Sequence, residues 1–213
     1  MLNVFVGAPG REFLGSSEVF IILFVTFGPI NFINHFYQMA TGVDTKTLVG
    51  LAARSASIAT VAIVLSAIVG SFMLGKWQIS VPAIAFTGAI VLFVAAMRSI
   101  LALYGGPAPD ASRVAPSPST AASHLVFPYI ATPYGIAAII VLLMLAPESA
   151  TGIYLTLIAV MLINLIMMLF VKPIMRMMGV PLALLGTVLS VLQVALSIQF
   201  AFFAIRTALA QGI

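Results

Sequence analysis

Two stretches of this sequence place glycine, proline and polar residues inside long apolar runs. The first is Thr26-Phe27-Gly28-Pro29-Ile30-Asn31, and the second runs from Phe127 to Gly135. Because proline lacks a backbone N–H and clashes with the carbonyl four residues earlier, Pro29 and Pro133 predict two broken helices. A broken helix offers carbonyl groups at the end of its first part and N–H groups at the start of its second. Such a pair can bind a cationic and an anionic group side by side.

The breaks therefore predict a binding site for a small substrate. The preferred substrate-binding residues lie at the breaks, and the secondary candidates lie beside them or within the later helices. The preferred residues are Gly28, Pro29, Asn31, Thr132, Pro133, Tyr134 and Gly135, and the secondary ones are Thr26, Asn34, Asn164 and Gln199. Asn31 could equally cap the restarted helix, and Asn164 and Gln199 could bond between helices.

Composition defines the setting of these breaks. Of 213 residues, 62% are hydrophobic and only 7% are charged, whereas soluble domains carry about 25% charged residues. This excludes a cytosolic enzyme, a disordered protein and a nucleic-acid binder. The chain is expected to be a polytopic membrane protein whose partners are the lipid bilayer and a small molecule, with a homo-oligomer left open.

The apolar runs predict an all-α membrane protein with six transmembrane helices, since about 20 apolar residues span a bilayer. The expected spans are 18–39, 51–74, 79–104, 125–146, 149–171 and 182–209. The chain is expected to begin with an N-terminal segment, 1–17, and a first repeat, 18–104. A Gly/Pro/Ser-rich linker, 105–123, then leads to a second repeat, 124–213. An odd number of helices per half makes these two inverted three-helix repeats, each with a broken first helix.

Basic residues predict the orientation, because cytoplasmic loops are enriched in Lys and Arg. Six spans put both termini on one side. That side carries Arg11, Lys76 and Arg206, and the other carries Lys46, Arg54, Arg98, Arg113, Lys172 and Arg176. Both termini are therefore expected to be periplasmic. The N-terminus lacks the pattern of a signal peptide.

The predicted helix interiors hold no Asp, Glu, Lys or Arg, which favours a substrate without net charge. An amino acid zwitterion satisfies that condition. No metal site and no cofactor are expected, and a coupling ion, H⁺ or Na⁺, is left open. The two histidines, His35 and His124, lie near predicted helix ends, and no hydrolase motif occurs. The chain is therefore not expected to be an enzyme.

Several segments resemble the MarC family. They are Phe27 to Asn31 with Thr41-Gly42 and Leu51 to Arg54, then Ile79 to Phe93, then Pro128 to Pro133. The resemblance implies a six-helix bacterial inner-membrane protein, related to the LysE-type exporters, that transports small neutral amino acids. Gly28, Asn31 and Phe32 depart from the family's usual N-P-x-G-N at the first break. Thr132 and Tyr134 replace two glycines of the second.

The expected function is alternating-access transport at a mid-membrane site between the two broken helices. One alternative is an exporter of another small or apolar metabolite. The other is a membrane partner protein that does not transport and that docks through the segment from Gly105 to Ser123.

Overall fold

The computed structural model describes residues 15–104 and 126–212, and all regular structure within them is helical. We label the seven α-helices α1 to α7 in chain order. They are α1 (Ser16–Phe27), α2 (Ile33–Ala40), α3 (Thr45–Trp77), α4 (Val81–Tyr104), α5 (Pro133–Leu145), α6 (Ala150–Leu169) and α7 (Val171–Ala210). A 3₁₀ turn, Pro29–Asn31, joins α1 to α2, and a π turn, Val126–Ile130, precedes α5. The predicted linker, the segment 1–14 and His124 lie outside the described residues.

Five segments are long and apolar enough to cross a membrane: Ser16–Ala40, Thr45–Trp77, Val81–Leu101, Pro147–Leu169 and Leu184–Ala210. They correspond to five of the six predicted spans. In place of the fourth predicted span, 125–146, the structure has the π turn and the 13-residue helix α5. At 1.5 Å per residue, α5 alone covers about 20 Å, roughly two thirds of the hydrocarbon thickness.

The first predicted span is interrupted where its glycine and proline occur. α1 ends at Phe27, and Gly28 has an extended backbone, with φ −65° and ψ 163°. Pro29 then occupies the first position of the 3₁₀ turn, where a missing N–H is tolerated. The chain resumes as α2 at Ile33. The proline signal in the sequence therefore locates this break correctly.

The second break has the same order of conformations. Phe127 is extended within the π turn, which the Ala131 N–H closes by donating to the Val126 carbonyl at 2.8 Å. Thr132 is extended and forms the N-cap of α5, and Pro133 is its first helical residue. Gly28-Pro29 and Thr132-Pro133 are thus equivalent cap–proline pairs.

The first broken helix forms the centre of the bundle. In its most apolar 18-residue stretch 61% of the residues are buried, whereas the four other long spans have values from 17% to 33%. Phe27, Phe32 and Phe36 are fully buried and belong to a core shared with α5 and α6. Because lipid is as apolar as these side chains, close packing holds this centre together. The breaks therefore lie inside protein, as unpaired backbone in a membrane requires.

Candidate functional site

The break after α1 frees three carbonyl groups. The N–H of Gly28 closes the last helical bond, to the Phe24 carbonyl at 2.8 Å. Pro29 has no N–H to offer Val25, and the extended Gly28 carries the chain away from Thr26 and Phe27. All three carbonyls belong to buried residues, where an unpaired carbonyl costs several kcal/mol.

Side chains from four parts of the chain satisfy these carbonyls. The Val25 carbonyl accepts from Gln193 Nε2 at 2.9 Å and from Asn31 Nδ2 at 3.1 Å. The Phe27 carbonyl accepts from Asn164 Nδ2 at 2.8 Å. Because the donors are side chains and not backbone, each can exchange its partner without unfolding a helix.

The Thr26 carbonyl joins the two breaks. It accepts from Thr132 Oγ1 at 3.4 Å, across 106 residues of sequence, and from Asn31 Nδ2 at the same distance. Thr132 Oγ1 in turn accepts from the Gly135 N–H at 3.2 Å, which is the N-cap bond of α5. The negative end of the α1 dipole therefore meets the positive end of the α5 dipole through one hydroxyl.

Gln193 belongs to this site, although sequence reasoning did not single it out. It lies on α7 with 3% of its surface exposed, and it also donates to Asn31 Oδ1 at 3.2 Å. The Tyr134 hydroxyl interacts with the side chains of both Gln193 and Thr132. A lone glutamine in an apolar helix is the only signal that could have identified Gln193. Gln199, six residues further along α7, carries the same signal.

Asn31 bonds to the freed carbonyls and does not cap the restarted helix. The cap of α2 is Phe32, without a side-chain bond, so the prediction that Asn31 caps the restarted helix is wrong for this structure. Its amide turns back and donates to the end of α1. The Thr26 hydroxyl also stays on α1, bonded to the Ile22 carbonyl at 2.9 Å, so Thr26 contributes its carbonyl to the site.

The remaining candidates are not among the side chains that donate to the freed carbonyls. Asn34 and His35 are exposed on α2, and the ring of His35 lies 4.0 Å from that of Tyr129 in the π turn. This ring contact is a second link between the two breaks. Gln199 is half-buried on α7.

Gly135 allows the two breaks to approach closely. A Cβ atom at this position would lie 2.5 Å from Cε1 of Phe27 and 2.7 Å from Oγ1 of Thr132. Both distances are far below van der Waals contact. A side chain at residue 135 would therefore separate α5 from α1.

The site is polar but carries no charge. Among the described residues six polar side chains are buried, and those of Thr132, Asn164 and Gln193 belong to this site. No Asp, Glu, Lys or Arg in the described ranges is buried. Those ranges also contain no group of three His, Cys, Asp or Glu residues that could hold a metal ion. The arrangement can bind a dipolar group by hydrogen bonds.

Four long apolar helices around a central broken one define an integral membrane protein that crosses the bilayer several times. Comparison with protein families makes this more specific. Residues 15–209 match the model of the MarC family of integral membrane proteins. This chain belongs to the MarC family, as its sequence motifs predict. No curated protein and no solved structure matches it.

Proposed function

We propose that this MarC-family protein is an alternating-access transporter of small neutral amino acids. The substrate would bind between the end of α1 and the start of α5. The observation that carries the proposal is the hydrogen bond from Thr132 Oγ1 to the Thr26 carbonyl, because it brings opposite ends of two helix dipoles together. An ammonium group suits the carbonyls of α1, and a carboxylate suits the N–H groups of α5.

The neutrality of the site supports a net-neutral substrate. A solute with net charge would need a buried counter-charge, whereas a zwitterion supplies both of its charges to the opposed helix ends. The close contact between Phe27 and Gly135 leaves little room there. Alanine, glycine and serine are therefore the proposed substrates, ahead of a larger or wholly apolar metabolite.

The side-chain donors suggest how the site could open and close. Asn31 and Gln193 now hold the Val25 carbonyl, which we assign to the substrate's ammonium group. Arrival of the substrate would exchange these amide donors for ammonium donors. Because Gln193 lies on α7, that exchange would loosen α1 from α7.

The inverted-repeat architecture is part of this proposal. The π turn and α5 would complete a sixth span of 20 residues, Val126 to Leu145. The helix contacts support an approximate two-fold relation between the halves. α4 of the first half packs chiefly on α7 of the second half. The contact of α1 with α6 is matched by the contact of α5 with α3. The contact of the first broken helix with α7 is matched by the contact of α5 with α4.

We also propose a bacterial inner-membrane location with both termini in the periplasm. Lys172 Nζ donates to the Val43 carbonyl at 2.6 Å, so the start of α7 lies beside the α2–α3 loop. This contact supports the assignment of these two basic segments to one side, which the positive-inside rule makes cytoplasmic.

Counterflow in proteoliposomes tests the proposal. Vesicles containing the protein are loaded with unlabelled alanine, and entry of labelled alanine is followed. We expect rapid exchange that falls at least about tenfold in Thr132→Val, since a hydrogen bond to a charged group contributes about 1.5–3 kcal/mol. Pro29→Ala combined with Pro133→Ala should also abolish exchange without removing the protein from the membrane.

Thr87→Val is the matched control. Thr87 is exposed on α4 and its hydroxyl bonds only within that helix, to the Ala83 carbonyl at 2.9 Å. Exchange in this variant should equal that of the wild type. Equal exchange in Thr132→Val would refute the site, and no exchange of any amino acid by folded protein would refute the substrate class.

A further inference from the structure

One polar atom at the break is unexplained by the hydrogen bonds described above. Asn164 is 1% exposed, and its Oδ1 atom has no hydrogen-bond partner among the described residues. Its Nδ2 atom donates to the Phe27 carbonyl at 2.8 Å and has only the weak acceptor Met161 Sδ nearby, at 3.8 Å. Buried amide oxygens normally have partners, so this oxygen is available to bind a ligand.

A ligand of this oxygen must suit the electrostatics of its surroundings. The three carbonyls at the end of α1 form the negative end of a helix dipole, and no basic residue lies in the last turn to offset it. Asn164 Oδ1 adds a fourth oxygen, since it shares its carbon with the nitrogen that touches Phe27. A set of neutral oxygens favours a cation, and oxygen ligands suit hard cations.

The charge of that cation is limited by the same surroundings. No described carboxylate is buried, so nothing in this part of the chain compensates a divalent ion in the bilayer interior. Within the described ranges no titratable side chain bonds to the Phe27 carbonyl or the Asn164 amide, so a proton has no carrier there. A monovalent cation remains.

We infer that Asn164 and the carbonyls of Phe27 and Thr26 form a Na⁺ site. In its present orientation the amide of Asn164 directs an N–H group at Phe27. A half-turn of the amide would direct Oδ1 there instead, and a cation would lie between the two oxygens. The assignment of Na⁺ as the coupling ion rests on the proposed transport function, whereas binding of Na⁺ does not depend on it.

Thermal unfolding of the purified full-length protein, without any amino acid, tests the site. NaCl is exchanged for KCl or choline chloride at constant total salt. We expect Na⁺ to raise the unfolding temperature saturably and more than the other two cations. Asn164→Leu should weaken the apparent Na⁺ affinity roughly tenfold or more, since it removes a ligand to a charge.

The Asn164→Asp variant distinguishes two roles of Asn164, that of a cation ligand and that of a structural N–H donor. It remains informative if Asn164→Leu does not fold. If Asn164 is a cation ligand, the Asn164→Asp variant should be unstable in choline and be rescued by Na⁺. A structural donor predicts instability that Na⁺ does not relieve, and that result overturns the inference. Asn34→Asp adds the same charge at an exposed position of α2 and should leave the Na⁺ response unchanged.

Other outcomes distinguish this site from the transport function. Equal unfolding temperatures in NaCl, KCl and choline chloride overturn the Na⁺ site, as does an unchanged Na⁺ response in Asn164→Leu. Counterflow of alanine at full rate in choline also overturns the coupling role, while the proposed function stands. Saturable Na⁺ stabilisation without exchange of any amino acid supports the Na⁺ site and refutes the proposed substrate.

Discussion

Gly135 lies directly against Phe27, so Gly135→Ala tests how tightly the two broken helices pack. The new Cβ would lie 2.5 Å and 2.7 Å from Cε1 and Cζ of Phe27, and 2.7 Å from Oγ1 of Thr132. Ordinary carbon contacts are about 3.5–4.0 Å, so α5 or the ring must move by about 1 Å. Phe27 is 1% exposed and belongs to the hydrophobic core, so neighbouring side chains confine its ring.

Overpacking of this kind costs about 1–3 kcal/mol. We therefore expect Gly135→Ala to lower the free energy of unfolding by that amount, a roughly 5- to 150-fold change in the folded-to-unfolded ratio. The same movement lengthens the bond from Thr132 to the Thr26 carbonyl, so counterflow per folded molecule should fall as well. Unfolding in detergent and exchange in proteoliposomes measure the two effects separately.

Gly152→Ala is the control for this prediction. Gly152 lies on α6, and a Cβ added there meets nothing within 4 Å, so its stability should change by no more than about 0.5 kcal/mol. Equal stability of the two alanine variants would mean that the α1–α5 contact is loose. The proposal that the negative end of the α1 dipole lies close to the positive end of the α5 dipole would then be unsupported.

Three other perturbations test neighbouring parts of the structure. Gln193→Leu removes one donor from the Val25 carbonyl and should lower the free energy of unfolding by about 1–3 kcal/mol, whereas Gln199→Leu on the same helix should have a smaller effect in the same unfolding assay. Gly28→Ala would drive a Cβ into the carbonyl four residues earlier, so its unfolding temperature and its alanine exchange should both fall. Asp44 caps α3 through Thr47, and hydrogen bonds from the Thr47 side chain and backbone hold its pKa below the ordinary value. The cap therefore contributes its full stability above the ordinary pKa of about 3.9, and this stability is lost as the pH falls through the lowered pKa of the folded state. In that acidic range amide exchange in the first turn of α3 should accelerate in the wild type. It should not accelerate in Asp44→Asn.

The sequence predicts the breaks because their cause is local. Proline removes a backbone donor and glycine permits the close contact with the Phe24 carbonyl, so Gly28 and Pro29 end α1. Thr132 and Pro133 likewise form an N-cap and a first helical residue. Signals carried by neighbouring residues need no knowledge of the fold, and both interruptions lie where the sequence predicts them.

The partners of the breaks were harder to predict because they depend on distant contacts. Gln193 and Gln199 are equivalent in sequence terms, each a glutamine within an apolar stretch of α7. They lie six residues apart, so a helix of 3.6 residues per turn points them in different directions. Only the packing of α7 against the first broken helix decides that Gln193 meets Val25. The short length of α5 was also missed, because hydropathy does not separate the π turn from the helix that follows it.

Amide side chains suit this site because the break makes two demands. Its carbonyls must have donors, and they must also be able to bind a cation. The exposed carbonyls of α1 need donors, and a Lys or Arg would supply them most strongly, but a permanent cation within the bilayer is costly and would compete with any cationic ligand. Asn31, Asn164 and Gln193 donate without net charge, and each carries an oxygen on the same group. An amide can therefore donate to the carbonyls of the break and, after a half-turn, direct its oxygen towards a cation. A charged donor could satisfy the first demand but would prevent the second.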